Sequence, residues 1–229
     1  MKLAFSEKMS RTILKERKME EQGIYEAISD TQQRSEEWHA QRLGKFTASR
    51  FGDLMTNGRK KDEVLGQTAI SYIYEKAAEL LTGQRTEIFG KALDWGNEYE
   101  PICKAYYSEL RGVTIEEIGF TLINDYSGAS PDGMVDGELI EIKCPYNTAN
   151  HLKTAFEGYI DPKYMWQMQG QMLATGALAC RFISFDPRIK DERFKLIEIR
   201  VEADLEMQEQ LRERLAFAND YLRNLLNSK

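Results

Sequence analysis

Cysteine and histidine are scarce in this sequence. Its 229 residues contain three cysteines and two histidines, and Cys103, Cys144 and Cys180 lie far apart in the chain. Such spacing provides neither a disulfide framework nor the Cys and His ligands of a zinc site. We therefore expect any bound metal ion to have oxygen ligands.

Long apolar runs are absent as well. The composition is 42% hydrophobic and 30% charged, and no run of about 18 apolar residues suggests a membrane-spanning helix. Charges also interrupt the N-terminal segment before any apolar run of roughly 7–15 residues, the length that a secretory signal needs. These features predict a soluble, cytoplasmic protein without a membrane partner.

Positive charge is not in excess, since 31 Lys and Arg residues are set against 37 Asp and Glu residues, for a net charge of −6. This balance argues against a uniformly basic coat for nucleic acid. It still allows a local groove in which cations are concentrated. Net charge alone leaves the binding partner open.

The patterning predicts a single α/β domain over residues 1–229. Apolar residues recur at helical spacing from Ile70 to Leu81, and Gly83 provides a stop. Short β-rich runs then begin near position 113, with two helical stretches between them and a long amphipathic helix after them. We expect a central mixed β-sheet flanked by helices. Its parts are an N-terminal appendage (1–34), the core (35–201) and a C-terminal helix (202–229).

Local signals also predict where helices begin and bend. Ser35 is a candidate N-cap for a helix that extends to Leu43, and Thr47 for the segment ASRFGDLM. Pro101 should kink its helix or mark the first turn.

The stretch SPDGMVDGELIEIKCP places three charges on one predicted hairpin. Strand alternation sends Glu141 and Lys143 to the same side. The turn residues between positions 133 and 137 fold the chain back, which brings Asp132 beside Glu141. A solvated acidic edge with a surface salt bridge is the ordinary alternative, and such pairs contribute little.

Two adjacent carboxylates repel each other unless a cation lies between them, and oxygen ligands are those that Mg²⁺ prefers. A lysine next to such a metal ion can orient or deprotonate the attacking water, while the metal neutralises charge on a phosphodiester. The pattern therefore indicates metal-assisted phosphodiester hydrolysis.

Pro131 and Asp132, followed by Glu141, Ile142 and Lys143, resemble the PD-(D/E)XK nuclease motif. Around them the blocks WHAQRLGKFTAS, KALDWGNEYE, ASPDG, EIKCP and YMWQMQGQM occur in the order seen in phage lambda-type exonucleases of the YqaJ-like viral recombinase group. The sequence resembles this family over about residues 35 to 200.

The resemblance implies a restriction-endonuclease-like α/β core and Mg²⁺-dependent 5′→3′ digestion of one strand of linear double-stranded DNA. The product would carry a 3′ single-stranded tail for phage-type recombination by strand annealing. It also implies a homotrimeric ring around the DNA and a phage single-strand annealing protein as partner, in the bacterial host of a phage or prophage.

The same resemblance implies roles for individual residues. Asp132 and Glu141 correspond to metal ligands, together with the Ile142 backbone carbonyl, and Lys143 to the lysine that orients water. Two Mg²⁺ ions per site are expected, with Mn²⁺ as a substitute.

Glu100 resembles an additional metal-binding acid, and Glu98 lies close enough in sequence to be confused with it. Gln167 resembles a glutamine that supports the active site. Gln169 and Gln171 follow two and four residues later, and Gln171 shares a helix face with Gln167.

Arg42 and Ser49 resemble residues that bind the 5′-phosphate of the strand end, with Ser130 as a third contact. A guanidinium binds phosphate bidentately, and a helix N-terminus favours anions. Leu93 aligns with an apolar residue that separates the strands, and core packing is its equal alternative. His39, near this set in sequence, is interpreted as a structural or surface residue.

The basic loop of Arg59, Lys60 and Lys61 is either solvated or touches the DNA backbone.

Two alternative functions stay open for the whole protein. The fold also serves restriction-type and structure-specific endonucleases, and a catalytically dead DNA-binding protein is the other alternative. Nucleases that hold an iron–sulfur cluster are disfavoured, because three dispersed cysteines cannot provide four ligands.

Overall fold

The computed structural model describes residues 33–60, 63–86 and 89–228. The predicted appendage therefore lies almost wholly outside the described residues, as does Lys61. The helices are α1 (Glu36–Arg42), α2 (Phe51–Leu54), α3 (Gln67–Thr82), α4 (Lys91–Arg111), α5 (Thr148–Glu157), α6 (Pro162–Thr175), α7 (Glu192–Lys195) and α8 (Leu205–Asn227). The strands are β1 (Phe46–Thr47), β2 (Thr121–Asn124), β3 (Ser127–Ala129), β4 (Gly133–Val135), β5 (Glu138–Lys143), β6 (Ala179–Phe185) and β7 (Leu196–Glu202).

Among these described helices, none is long and apolar enough to cross a membrane.

The strands form two mixed sheets, in the orders β1-β3-β2 and β4-β5-β6-β7. In the larger sheet the central pair β5 and β6 is parallel, and each of its outer pairs is antiparallel. The predicted α/β class with mixed sheets and flanking helices is confirmed. The prediction that all β-rich runs join one sheet is wrong. The run that begins near position 113 pairs as a strand only over β2, and Glu116 makes an isolated bridge with Met134.

Strand β5 is covered on both faces, which explains its nearly continuous apolar sequence. Ile140 and Ile142 pack in the cluster that contains Cys103 of α4. Leu139 packs on the other side, in the cluster that contains Met168 of α6. Side chains that share the Leu139 face are therefore enclosed beneath α6, and Glu141 is one of them.

The predicted helix signals agree with the structure in part. Ser35 accepts a hydrogen bond from the Trp38 backbone N–H at the start of α1, and Gly83 ends α3 in the left-handed conformation. Thr47 precedes a short 3₁₀ turn but makes no side-chain capping bond. Pro101 lies inside α4, which continues through it.

Candidate active site

The hairpin of β4 and β5 places Asp132 opposite Glu141. Its two turn residues, Asp136 and Gly137, have φ values of 53° and 78°, as a type I′ turn requires. The register pairs Gly133 with Ile140, and the backbone N–H of Asp132 donates to the Ile140 carbonyl at 3.0 Å.

The Asp132 side chain continues this pairing, since its Oδ2 accepts from the backbone N–H of Ile142 at 2.7 Å. The short turn thus places the Asp132 carboxylate against the backbone of β5, the strand that carries Glu141.

Glu141 is held between a cation and an amide. The residue is completely buried, its Oε1 forms an ion pair with Lys143 Nζ, and its Oε2 accepts from Gln171 Nε2 at 2.5 Å. Lys143 also lies over the ring of Tyr164, 4.9 Å from its centroid. Helix α6 provides both the amide and the ring because it packs on this face of β5.

Gln171, and not Gln167, is therefore the glutamine in contact with Glu141. Gln167 is buried one helical turn earlier on α6, and no hydrogen bond joins it to Glu141 within the described residues. The helical pattern indicates Gln171 as well, because it lies on the same helix face, four residues after Gln167. The catalytic role of Gln167 stays a prediction.

Glu100, on α4, is the third carboxylate near the hairpin. Its Oε2 accepts from Arg34 Nη2 at 2.7 Å, and its Oε1 lies 3.3 Å from Lys104 Nζ. Its charge contributes to raising the pKa of Asp132. Glu98 interacts with the neighbouring Tyr99. The metal-binding role of Glu100 stays a prediction.

Acidic side chains surround Asp132. Burial and the charges of Glu141 and Glu100 raise the pKa of this carboxyl well above its usual range, against the opposing effects of Lys143 and the Ile142 N–H. Burial disfavours the charge on Lys143, but Glu141 and Asp132 outweigh burial and raise the pKa of the ammonium. Lys143 is therefore a protonated hydrogen-bond donor in this arrangement.

These oxygens fit a hard divalent cation. Mg²⁺ is usually bound by one or two carboxylates and keeps several waters, and the mutual repulsion at Asp132 is what a cation between the carboxylates would relieve. The described His, Cys, Asp and Glu side chains form no cluster of three or more that could hold a metal ion by itself. Asp132, Glu141 and the Ile142 carbonyl would therefore need water to complete the coordination.

Lys143 borders a cavity of about 510 Å³. Its wall also contains Ala92 from the first turn of α4 and Lys153, Tyr159 and Lys163 from the segments around α5 and α6. The Lys143 side of the hairpin therefore opens onto a cleft with both cationic and aromatic side chains.

A second cavity, of about 410 Å³, contains the residues predicted to bind a strand end. Arg42, Ser49 and Leu93 line it. Arg42 Nη1 donates to Ser130 Oγ at 3.1 Å, and Trp38 Nε1 donates to the same hydroxyl at 3.0 Å. We call this cavity the arginine pocket.

The arginine pocket adjoins the catalytic hairpin, because Ser130 precedes Asp132 by two residues. The Trp38 ring lies 4.1 Å from the Arg42 guanidinium and supports it. Ser49 Oγ is 3.3 Å from Thr47 Oγ1. Leu93 is 44% exposed, so the alternative that it packs in the core is wrong.

The basic loop lies partly outside the described residues. Arg59 is exposed, and Lys60 lies 3.4 Å from Glu63 in an exposed ion pair. The interpretation that this loop touches DNA stays a prediction.

Residues 37–178 match the YqaJ-like viral recombinase domain. The chain belongs to this family. Among solved structures, an alkaline exonuclease from Laribacter hongkongensis superposes with a TM-score of 0.76 at 35% identity, over 85% of this chain and 95% of that one.

The structure of that exonuclease in complex with dAMP gives a TM-score of 0.77 at 36% identity, with the same coverage. A phage-related exonuclease from Haemophilus somnus 129PT, with a TM-score of 0.66 at 19% identity over 80% of this chain and 96% of that one, shares the fold. The predicted restriction-endonuclease-like fold is thereby confirmed. No curated protein matches the chain.

The sequence patterns do not predict two residues of the arginine pocket. Arg85 and His39 both line the arginine pocket and contact each other through Arg85 Nη1 and His39 Nδ1. They are 46 positions apart, and nothing in the local pattern around Arg85 indicates the contact. His39 is close in sequence to the predicted phosphate-binding residues, but the sequence alone predicts a structural or surface role for it.

Proposed function

We propose that this protein is a metal-dependent deoxyribonuclease that digests one strand of linear double-stranded DNA in the 5′→3′ direction. The observation that carries the proposal is the Asp132, Glu141 and Lys143 cluster beside the arginine pocket. Membership of the YqaJ-like family and the likeness to solved exonucleases support it.

The chain's own residues supply most of the reaction geometry. Lys143 holds the attacking water by donating a hydrogen bond. Gln171 fixes the orientation of the Glu141 carboxylate by donating to its Oε2. Mg²⁺ bound by Asp132, Glu141 and the Ile142 carbonyl would activate that water and neutralise charge on the phosphodiester. Two Mg²⁺ ions per site are proposed, with Mn²⁺ as a substitute, and Glu100, now paired with Arg34 and Lys104, would be a further ligand.

The arginine pocket accounts for the direction of digestion. In the proposal Arg42, Ser49 and Ser130 bind the 5′-phosphate of the terminal nucleotide, so the next phosphodiester reaches the catalytic hairpin. Leu93, exposed at the pocket, separates the end of the duplex. The products are mononucleotides and a 3′ single-stranded tail for recombination by strand annealing.

At the level of the assembly, we propose a homotrimeric ring that encloses the duplex. A ring keeps the enzyme on its substrate by topology. Its partner would be a phage single-strand annealing protein in the cytoplasm of the bacterial host. Sedimentation of the 26.5 kDa chain should give three times the mass of one subunit, and a monomer in solution would contradict the ring.

One digestion experiment tests the activity directly. Linear duplex DNA is labelled at either the 5′ or the 3′ end, with and without a 5′-phosphate, and incubated in Mg²⁺, in Mn²⁺ or in chelator. We expect early release of the 5′ label as mononucleotide, faster attack on phosphorylated ends and no reaction in chelator. Release of the 3′ label first, or undiminished digestion in chelator, would overturn the proposal.

Alanine variants at Asp132, Glu141 and Lys143 test the assigned residues. Each should reduce cleavage by several orders of magnitude, because each removes a group from the reacting centre. Far-ultraviolet circular dichroism checks that the variants are folded. Full activity in any folded variant would remove that residue from the catalytic machinery.

A further inference from the structure

The cations of the arginine pocket are not equally neutralised. Arg50 is paired with Glu75 at 2.6 Å, and Lys76 with Glu79 at 2.8 Å. Arg34, at the rim, is paired with Glu100 as described above. These side chains have carboxylate partners and therefore offer little free positive charge to an anion.

Arg42 and Arg85 are different. Within the part of the chain that the structure describes, neither lies within 4.0 Å of a carboxylate; Arg42 donates to the Ser130 hydroxyl and Arg85 to the His39 ring. Burial and, to a smaller extent, the charge of Arg85 lower the pKa of Arg42 to about 10, while Tyr72 and Glu79 oppose the decrease. Two like charges thus act on each other across a cavity.

His39 adds a third donor to this cavity. A guanidinium can only donate, so the contact with Arg85 makes Nδ1 of His39 the acceptor. Burial and the charges of Arg85 and Arg42 lower the pKa of the imidazole. The neutral ring then carries its proton on Nε2, which is free to donate to an incoming oxygen.

A buried carboxylate fixes the positions of the two arginines. Glu79 is 1% exposed, and its two oxygens accept from the backbone N–H groups of Gly44 at 2.9 Å and Thr86 at 3.4 Å. Gly44 follows α1, which carries Arg42, and Thr86 follows Arg85. The spacing of the guanidiniums is therefore set before any anion binds.

We propose that Arg85, together with His39, binds the terminal 5′-phosphate of the DNA and recognises its second negative charge. Arg85 is then a specificity-determining residue. A phosphomonoester dianion fits two unpaired guanidiniums and an imidazole donor, whereas a 5′-hydroxyl would leave these cations unneutralised. The inference rests on the proposed function and deepens it, because it assigns the preference for phosphorylated ends to a residue outside the sequence motifs.

The test compares Arg85→Ala, Arg85→Lys and His39→Ala with the wild-type full-length chain. Initial rates are measured on linear duplexes that carry either a 5′-phosphate or a 5′-hydroxyl. Arg85→Ala should reduce the ratio of the rates on phosphorylated and hydroxyl ends at least about 10-fold, equivalent to about 1.4 kcal/mol.

Arg85→Lys should retain part of the preference, since it keeps the charge but not the bidentate fork. Arg193→Ala is the matched control, because Arg193 has 80% side-chain exposure, forms an ion pair with Asp191 and lies over the Phe194 ring, outside the arginine pocket. This control changes the net charge equally and should leave the preference unchanged.

A binding measurement separates this inference from the proposed chemistry. Fluorescence anisotropy in chelator compares the affinities for 5′-phosphorylated and 5′-hydroxyl duplexes, so no cleavage is needed. Selective loss of affinity for the phosphorylated duplex in Arg85→Ala supports the inference, even if the wild type fails to cut DNA. An unchanged phosphate preference in Arg85→Ala, in both binding and cutting, overturns the inference and leaves the exonuclease proposal standing. A wild type with no preference in either assay overturns the inference and also the proposed phosphate-binding role of the arginine pocket.

Discussion

At the scale of single residues, Asp132 has the most unfavourable electrostatic position in the site. Its carboxyl is surrounded by Glu141 and Glu100, and its raised pKa records the cost of ionising it there. The folded state therefore binds a proton at Asp132 more tightly than the unfolded chain does. Stability consequently falls as the pH rises from the usual aspartate range toward the higher pKa of the folded state.

Replacing Asp132 with Asn should therefore stabilise the metal-free protein at neutral pH. We expect the free energy of unfolding in urea with chelator to rise by about 1 kcal/mol, although cleavage is lost. Mg²⁺ should raise the unfolding midpoint of the wild type and have a much smaller effect on the variant, since in the proposal it binds the folded state through that carboxylate.

Asp125→Asn is the matched control, because Asp125 lies exposed in the turn between β2 and β3. It should change neither the stability in chelator nor the response to Mg²⁺. A destabilised Asp132→Asn variant would contradict the electrostatic interpretation of the hairpin.

The amide of Gln171 yields a second prediction at this scale. Gln171→Leu removes the donor to a fully buried Glu141 oxygen, which should cost about 1–3 kcal/mol of stability and weaken Mg²⁺ binding in calorimetry. Gln167→Leu, one turn away on the same helix face, leaves that hydrogen bond in place. If Gln167→Leu weakens Mg²⁺ binding and Gln171→Leu does not, Gln171 is not the residue that positions Glu141.

At the scale of elements, α6 is the scaffold on which the site depends. It covers the Glu141 face of β5, and it also packs against α2 and α8. The close approach to α2 requires a glycine, since a Cβ on Gly170 would lie 2.4 Å from ring atoms of Phe51. The position of Gln171 is therefore coupled to a contact made by the adjacent residue on a different face of the helix.

Two helix-interior glycines test this coupling. Gly170→Ala should destabilise the protein by about 1–3 kcal/mol, because the added methyl collides with a buried ring. Gly96→Ala in α4 meets nothing within 4 Å and should stabilise by about 0.5–1 kcal/mol through helix propensity. Thermal and urea unfolding measure both, and equal effects of the same sign would show that packing at Gly170 is not tight.

At the scale of the whole molecule, the proposed ring ties activity to DNA topology. A closed ring can load only at an end, so covalently closed circular duplex should resist digestion, whereas a linear form of the same DNA is degraded. With excess unlabelled competitor added after loading, wild-type protein should digest each bound molecule far beyond one nucleotide. Rapid cutting of the closed circle would favour an endonuclease instead.

The sequence by itself determined the local geometry of the hairpin and the residue types that it brings together. Alternation along ELIEIK and a turn that needs positive φ depend only on neighbouring residues, so Asp132 could be paired with Glu141 before any tertiary contact was known. The family resemblance and the α/β class followed from blocks that are continuous in the chain. Ser35 and Gly83 marked helix ends for the same local reason.

The tertiary structure decided which distant residues complete the sites. Gln171 reaches Glu141 because α6 packs on one face of β5, and both Gln167 and Gln171 satisfied the helical pattern. Arg85 reaches His39 because the buried Glu79 ties two loops together. The division of the strands into two sheets also depends on tertiary contacts. Packing and backbone hydrogen bonds between segments determine which strands pair, whereas a sequence pattern describes one segment at a time.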